Sequence, residues 1–282
     1  KREYDSYNAW LARWDDVHLT MSDLIQELLK ERENAFIDFQ KYRNQLFELI
    51  SYLLNYPDPN PEDEKFETAS MKTKLPDSNE YLVSDPYSIA INTIRGRAFQ
   101  AFASLVYQDG KKLAKDARLK ISPDVKKLYE RILEKENTRA LMFMFGHYLP
   151  TFYFRDKAWL QRLLPHIFPI DPEKKYFYIA AWEGYLANAL YEEIFLNPEI
   201  QKLYMRGLAL TDAEYPKQEH FIKLNEGIAI HLALAFMHCE KFGFGHPLFN
   251  AFWKKEDPDL HAEFISFLGR KYVSGSNVNV NI

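Results

Sequence analysis

The sequence predicts an all-α protein, arranged as an irregular α-solenoid or a HEAT- or TPR-like helical repeat array. Three observations carry that expectation. Asp, Ser or Asn followed by Pro stands ahead of an apolar-periodic run five times, at Asp85-Pro86, Ser122-Pro123, Asp171-Pro172, Asn197-Pro198 and Asp257-Pro258. The first residue of such a pair can accept bonds from the orphan N–H groups of a helix start, and the proline fits the first helical position. Glycine is scarce, with 10 in 282 residues, while 47% of the chain is hydrophobic, so long helices with few breaks are favoured. Strand alternation is confined to the short terminal VNVNI, and TFYFR (151–155) is the one other run that reads as extended.

In chain order, Thr20 and Ser22 open a helix that continues to about Asn55 without Pro or Gly. Residues 85–107, DPYSIAINTIRGRAFQAFASLVY, carry the strongest apolar stripe and read as a single helix. Further helices are expected after Ser122-Pro123, near 137–149 and 156–164, after Asp171-Pro172 and Asn197-Pro198, near 218–242 and 246–255, and after Asp257-Pro258. No exact repeat period is present, and the TPR pattern is not matched at its 34-residue spacing.

The domain reading follows from composition. Residues 1–55 form an N-terminal helical hairpin, continuing an array begun upstream. Residues 56–84, with four prolines and many charges, form a long exposed connection. The main helical array occupies 85–273, with a softer junction at 209–218, and 274–282 is a polar tail. The start, Lys1-Arg2-Glu3-Tyr4, reads as the beginning of a fragment.

Charge and motifs narrow the function classes. A formal net charge of −4 argues against a dedicated nucleic-acid binder. Cys239 is the sole cysteine, so no intrachain disulfide forms, and a cytoplasmic location is expected. No apolar run reaches membrane-spanning length. The phosphate-binding loop, GxGxxG, HExxH and GxSxG patterns are all missing, so no cofactor, metal or catalytic residue is assigned. His231 and His238 stand two turns apart beside Cys239 and read as packing residues rather than ligands. The basic run Lys111, Lys112, Lys115, Arg118 and Lys120 reads as a solvated loop. Trp159, Trp182 and Trp253 are expected in the core, whereas Trp10 and Trp14 are expected against a neighbouring domain.

Arg95 is the anomaly. On a helical wheel, Ile91, Ile94, Ala98, Ala101, Phe102, Leu105 and Val106 share one arc, and Arg95 falls within it, followed by Gly96. A buried guanidinium needs a partner, because an unpaired buried charge costs several kcal/mol. In 174–190, Glu183 lies on the stripe of Ile179, Leu186 and Leu190, followed by Gly184. The expectation is an Arg95–Glu183 pair across the core, with the Glu226-Gly227 pair supplying a rival partner. Gly96, Gly184 and Gly227 would allow close helix approach. The pattern favours this packing role over an anion or partner site at Arg95.

The run DPYSIAINTIRGRAFQAF resembles a DPxxxAINxxRGxAxxA pattern in the C-terminal helical regions of large bacterial STAND-type ATPases of antiphage defence, the Avs-like sensors. Residues 139–169, AAWEGYLAN (180–188), HLALAF (231–236) and EFISFLGRKY (263–272) resemble further blocks in the same order. The resemblance covers about residues 85–273. It implies a sensor end that recognises a phage protein such as the terminase large subunit or the portal. The ATPase and effector would lie elsewhere in the parent chain, and oligomerisation would belong to the full-length protein. No catalytic residue is carried over. Three readings remain open: a protein-binding sensor, a structural scaffold without its own ligand, and a HEAT-like nucleic-acid-processing or hydrolase domain.

Overall fold

The computed structural model describes residues 14–30, 37–62, 64, 85–111, 120–210 and 223–273. Among these the chain is all-α, with fourteen α-helices, one 3₁₀ turn and no strand. The helices are α1 (Trp14–Leu29), α2 (Phe39–Leu54), α3 (Pro86–Asn92), α4 (Ile94–Lys111), α5 (Pro123–Lys135), α6 (Arg139–His147) and α7 (Leu149–Arg155). They continue with α8 (Lys157–Ile167), α9 (Lys175–Leu186), α10 (Glu192–Phe195), α11 (Pro198–Ala209), α12 (Leu224–His238), α13 (Pro247–Lys254) and α14 (Pro258–Val273). Among the described residues no helix is long and apolar enough to cross a membrane.

All five X-Pro starts open helical turns. The Asp85 side chain accepts from Tyr87 N and Ser88 N, and Asn197 accepts from Glu199 N. Asp257 accepts from Leu260 N at 3.0 Å. Asp171-Pro172 opens the 3₁₀ turn Pro172–Lys174, which runs into α9. Ser122 departs from the pattern. Its hydroxyl caps nothing and instead accepts from Arg43 Nη2 at 3.0 Å.

Three expectations about boundaries change. The N-terminal run is two helices, α1 and α2, which contact each other and both pack on α4. Thr20 and Ser22 lie inside α1, where their hydroxyls donate back to Asp16 O and His18 O. The 85–107 run is broken at Thr93, whose backbone is extended, so α3 turns against α4. TFYFR is helical within α7, where Phe152 and Tyr153 fill the core, Phe152 beside Tyr129, and Phe154 is left exposed.

The core runs along the chain. α3 packs on α6, α6 on α9, α9 on α12, and α12 on α14. α9 is buried on every side from Tyr178 to Leu186, and the two glycines at its crossing with α6 set the spacing. A Cβ on Gly146 would lie 1.8 Å from Ala181 O, and one on Gly184 would lie 2.1 Å from Phe143 O. A Cβ on Gly96 would meet Ala90 O at 1.9 Å, and one on Gly227 would meet the Leu186 side chain at 3.0 Å. All four sites need a glycine or a shifted neighbour.

Candidate functional site

Arg95 sits in the first turn of α4, where a helical side chain leans toward the N-terminus. That direction carries its guanidinium to the segment following α2. Its Nε donates to Leu54 O at 3.2 Å and its Nη1 to Pro59 O at 3.1 Å. Nη2 donates to the Glu136 carboxylate. The Arg95 side chain is 14% exposed and that of Glu136 0%. The partner is therefore Glu136, at the C-terminal end of α5, and not Glu183. Glu183 is buried on α9, while the rival Glu226 is exposed in the first turn of α12. The helical wheel places Arg95 on a buried face but carries no information on what lies at the end of that face.

The same contact organises two helix starts. Ile94 N donates to Asp58 Oδ2 at 2.9 Å, and Arg95 N donates to Asp58 O at 2.8 Å. Glu136 Oε1 accepts from Thr138 N at 2.9 Å and from Thr138 Oγ1 at 2.6 Å. Glu64 accepts from Arg139 N at 2.9 Å and Ala140 N at 3.0 Å. Asp58 and Glu64 thus satisfy orphan N–H groups of α4 and α6, where a negative charge also meets the positive end of the helix dipole. Burial raises the Glu64 carboxyl above its usual range, against the lowering effect of its backbone bonds. The expected exposed connection 56–84 is accordingly packed at its start, with Pro59 and Glu64 buried. Residues 63 and 65–84 lie outside the described residues.

A second polar centre carries no sequence signal. Arg43 of α2 spans to α4 and α5, with Nη2–Oδ2 at 2.8 Å to Asp109 and a further pair to Asp124. Burial raises the Asp124 carboxyl, but the bonds from Arg43 and Ser122 prevail and hold it below its usual range. An open cleft of about 910 Å³ adjoins this centre, lined by Lys120, Lys126, Arg155 and Asp156 among others. Lys126 pairs with Asp156 at 2.6 Å, and Arg155 donates to Val106 O at 2.5 Å, crossing closely over Gly110.

His231 is fully buried between α9 and α11. Its Nδ1 lies 2.6 Å from Tyr204 Oη and its Nε2 2.9 Å from Asn188 O. A carbonyl only accepts, so Nε2 carries the proton and Nδ1 accepts from the tyrosine. Burial pulls the imidazole down to about 4, so the ring is neutral near pH 7. His238 is exposed and does not join it. Cys239 is buried, and burial pushes its thiol up to about 11. Among the described residues no group of His, Cys, Asp or Glu has metal-holding geometry.

Trp159 and Trp182 are core residues, but Trp253 is 39% exposed. Trp10, the Trp14 side chain, Lys112, Lys115 and Arg118 lie outside the described residues, as does the Lys111 side chain; Lys120 is exposed. The Trp253 ring sits on an aromatic surface formed by α12, α13 and α14. Phe244, 79% exposed, meets Phe236 and Phe249 edge-on at 5.6 and 5.5 Å. Trp253 lies 5.5 Å from Phe264 and 6.0 Å from Phe249. Gly245, at φ 90°, shapes the turn that presents Phe244. Sequence reasoning misses this surface because Trp253 lies in a run whose apolar pattern resembles a core, and Phe244, between two predicted helices, gives no sign of which rings it meets. Comparison with family models, with curated proteins and with solved structures found no match.

Proposed function

We propose that this chain is a non-enzymatic, protein-binding helical domain arranged as an irregular solenoid. In this reading it is the sensor end of an Avs-like STAND NTPase and recognises a phage protein, the terminase large subunit or the portal. The observation that carries the binding role is the aromatic surface of Phe244 and Trp253, two exposed rings that both pack on Phe249. Contiguous exposed aromatic surface marks interaction sites, and Trp and aromatic anchors dominate interface energetics. The buried polar groups Arg95, Glu136, Glu64, Arg43 and His231 are bonded within the fold, which fits a structural use of each. The order of helix contacts along the chain supports the solenoid arrangement. The sequence blocks of residues 85–273 support the sensor assignment.

The test is co-expression of the full-length parent with individual phage structural proteins, followed by affinity capture. Recovery of the terminase or portal with the parent is expected. Capture of neither, nor of any other phage structural protein, would overturn the sensor reading.

A further inference from the structure

Beside the Arg95 clamp lies a cleft of about 240 Å³ between residues 54–61 and α5. Its lining contains three cations, Arg95, Arg131 and Lys135, and no carboxylate. Arg95 is neutralised by Glu136. Arg131 is exposed and makes only a 3.3 Å bond from Nη2 to Ser51 Oγ, and Lys135 is exposed with no bonded partner among the described residues. Glu134, exposed on the same turn, does not line the cleft. Lys127, one turn before Arg131, is likewise exposed without a partner among the described residues. Lys127, Arg131 and Lys135 therefore form an i, i+4, i+8 row of cations that leads into the cleft.

We propose that this cleft and the row leading to it bind an extended acidic peptide segment of a protein partner. This inference rests on the protein-binding reading and assigns it a second contact surface with defined chemistry. The spacing is the first argument. Four residues of α-helix rise about 6 Å. Alternate residues of an extended peptide are about 6.6–6.8 Å apart on one face. Carboxylates at i, i+2 and i+4 of the peptide thus meet Lys135, Arg131 and Lys127 in turn. The second argument is the rest of the lining. Asn137, exposed at the rim, brings an amide group suited to a peptide main chain, while Asn55 and Asn60 are bonded to Ser51 O and to Pro57 O and Glu62 N; Pro57 and Pro61 bring rings suited to intervening side chains. A nucleic-acid backbone is the poorer fit, since the site adds few cations to a chain of net charge −4.

The probe is a fluorescein-labelled alternating Glu-Ala octapeptide, titrated with the full chain and followed by anisotropy. Binding is expected. It should weaken at least about tenfold in the exposed-site variant R131E/K135E, and fall when NaCl is raised from about 50 to about 300 mM. The variant K202E, on α11, should bind as the native chain does, and circular dichroism should show both variants folded. R131A/K135A provides a milder second reading of the same site. Equal binding by R131E/K135E and the native chain, or no binding by the native chain, would overturn the proposal. So would tighter binding of a single-stranded oligonucleotide than of the peptide. A parent that captures a phage protein while the chain ignores the peptide defeats the cleft alone. Peptide binding without capture of any phage protein leaves the cleft standing and defeats the sensor reading.

Discussion

Gly146 of α6 and Gly184 of α9 occupy reciprocal places in one helix crossing: each sits against the backbone that flanks the other, Gly146 on Ala181 O and Gly184 on Phe143 O. Helix α9 is buried on all sides from Tyr178 to Leu186, so neither helix can retreat into solvent at the crossing to admit a side chain. Gly146→Ala and Gly184→Ala should each destabilise the protein by at least about 2 kcal/mol, despite alanine's better helix propensity. Gly269, inside α14, has open space where a methyl group would stand, with nothing within 4 Å. Gly269→Ala should therefore stabilise by about 0.5–1 kcal/mol. Urea denaturation midpoints would report all three.

The Arg95–Glu136 pair predicts a specific pattern of energetic coupling. Removing one member leaves a buried charge uncompensated, so Arg95→Met should cost about 3–5 kcal/mol. A double-mutant cycle of Arg95→Met with Glu136→Gln should give a coupling of at least about 1 kcal/mol. The same cycle with Glu226→Gln should give none, since Glu226 is exposed on α12. Coupling to Glu226 that matched coupling to Glu136 would contradict the assignment of the clamp.

His231 predicts a component of acid sensitivity. Its folded-state value is depressed to about 4, so between its ordinary value and about 4 the unfolded chain binds the proton and the folded chain does not. Stability from this group is present above pH ~6.5 and is lost as pH falls toward 4, a change on the order of 3 kcal/mol. Glu64 acts with the opposite sign. Its folded-state value is raised, so its protonation favours the folded chain as pH falls through the carboxylate range. Denaturation midpoints measured between pH 7 and 4 should fall less steeply in His231→Gln, and more steeply in Glu64→Gln, than in the native chain.

Cys239 gives a direct probe of opening. The thiol is buried and its ionisation is displaced to about 11 by burial, with the Glu192 charge adding to the effect. A thiolate is the reactive form, so native protein should react with a disulfide reagent at pH 8 far more slowly than denatured protein. Fast reaction under native conditions would show that the end of α12 opens readily.

The readable part of this fold is local. The X-Pro pairs mark helix starts because capping depends on two adjacent residues, and Arg95 and Glu183 are recognisable as buried polar residues because burial follows helical period. The partner of Arg95 is not readable. It depends on where the chain after α2 returns, and Leu54, Asp58, Pro59 and Glu136 meet the first turn of α4 only through tertiary packing. Arg43 gives no sign because α2 alone does not reveal that Asp109 and Asp124 converge on it. The break at Thr93 is hidden by continuous apolar periodicity. The exposure of Phe244 and Trp253 is hidden too, since a binding surface and a core face have the same composition.

On the proposed function, the aromatic surface on α12–α14 serves recognition while the buried charges serve architecture. The most direct measurement is the affinity of the full-length parent for purified phage terminase or portal, compared between the native protein and Phe244→Ser/Trp253→Ser. Phe244 is 79% exposed, whereas Trp253 is 39% exposed and packs on Phe249, Phe252, His261 and Phe264, so the variant should melt somewhat lower while circular dichroism still shows it folded at the assay temperature. The account predicts a loss of affinity of at least about thirtyfold, equivalent to about 2 kcal/mol. Unchanged affinity in a folded variant would contradict it.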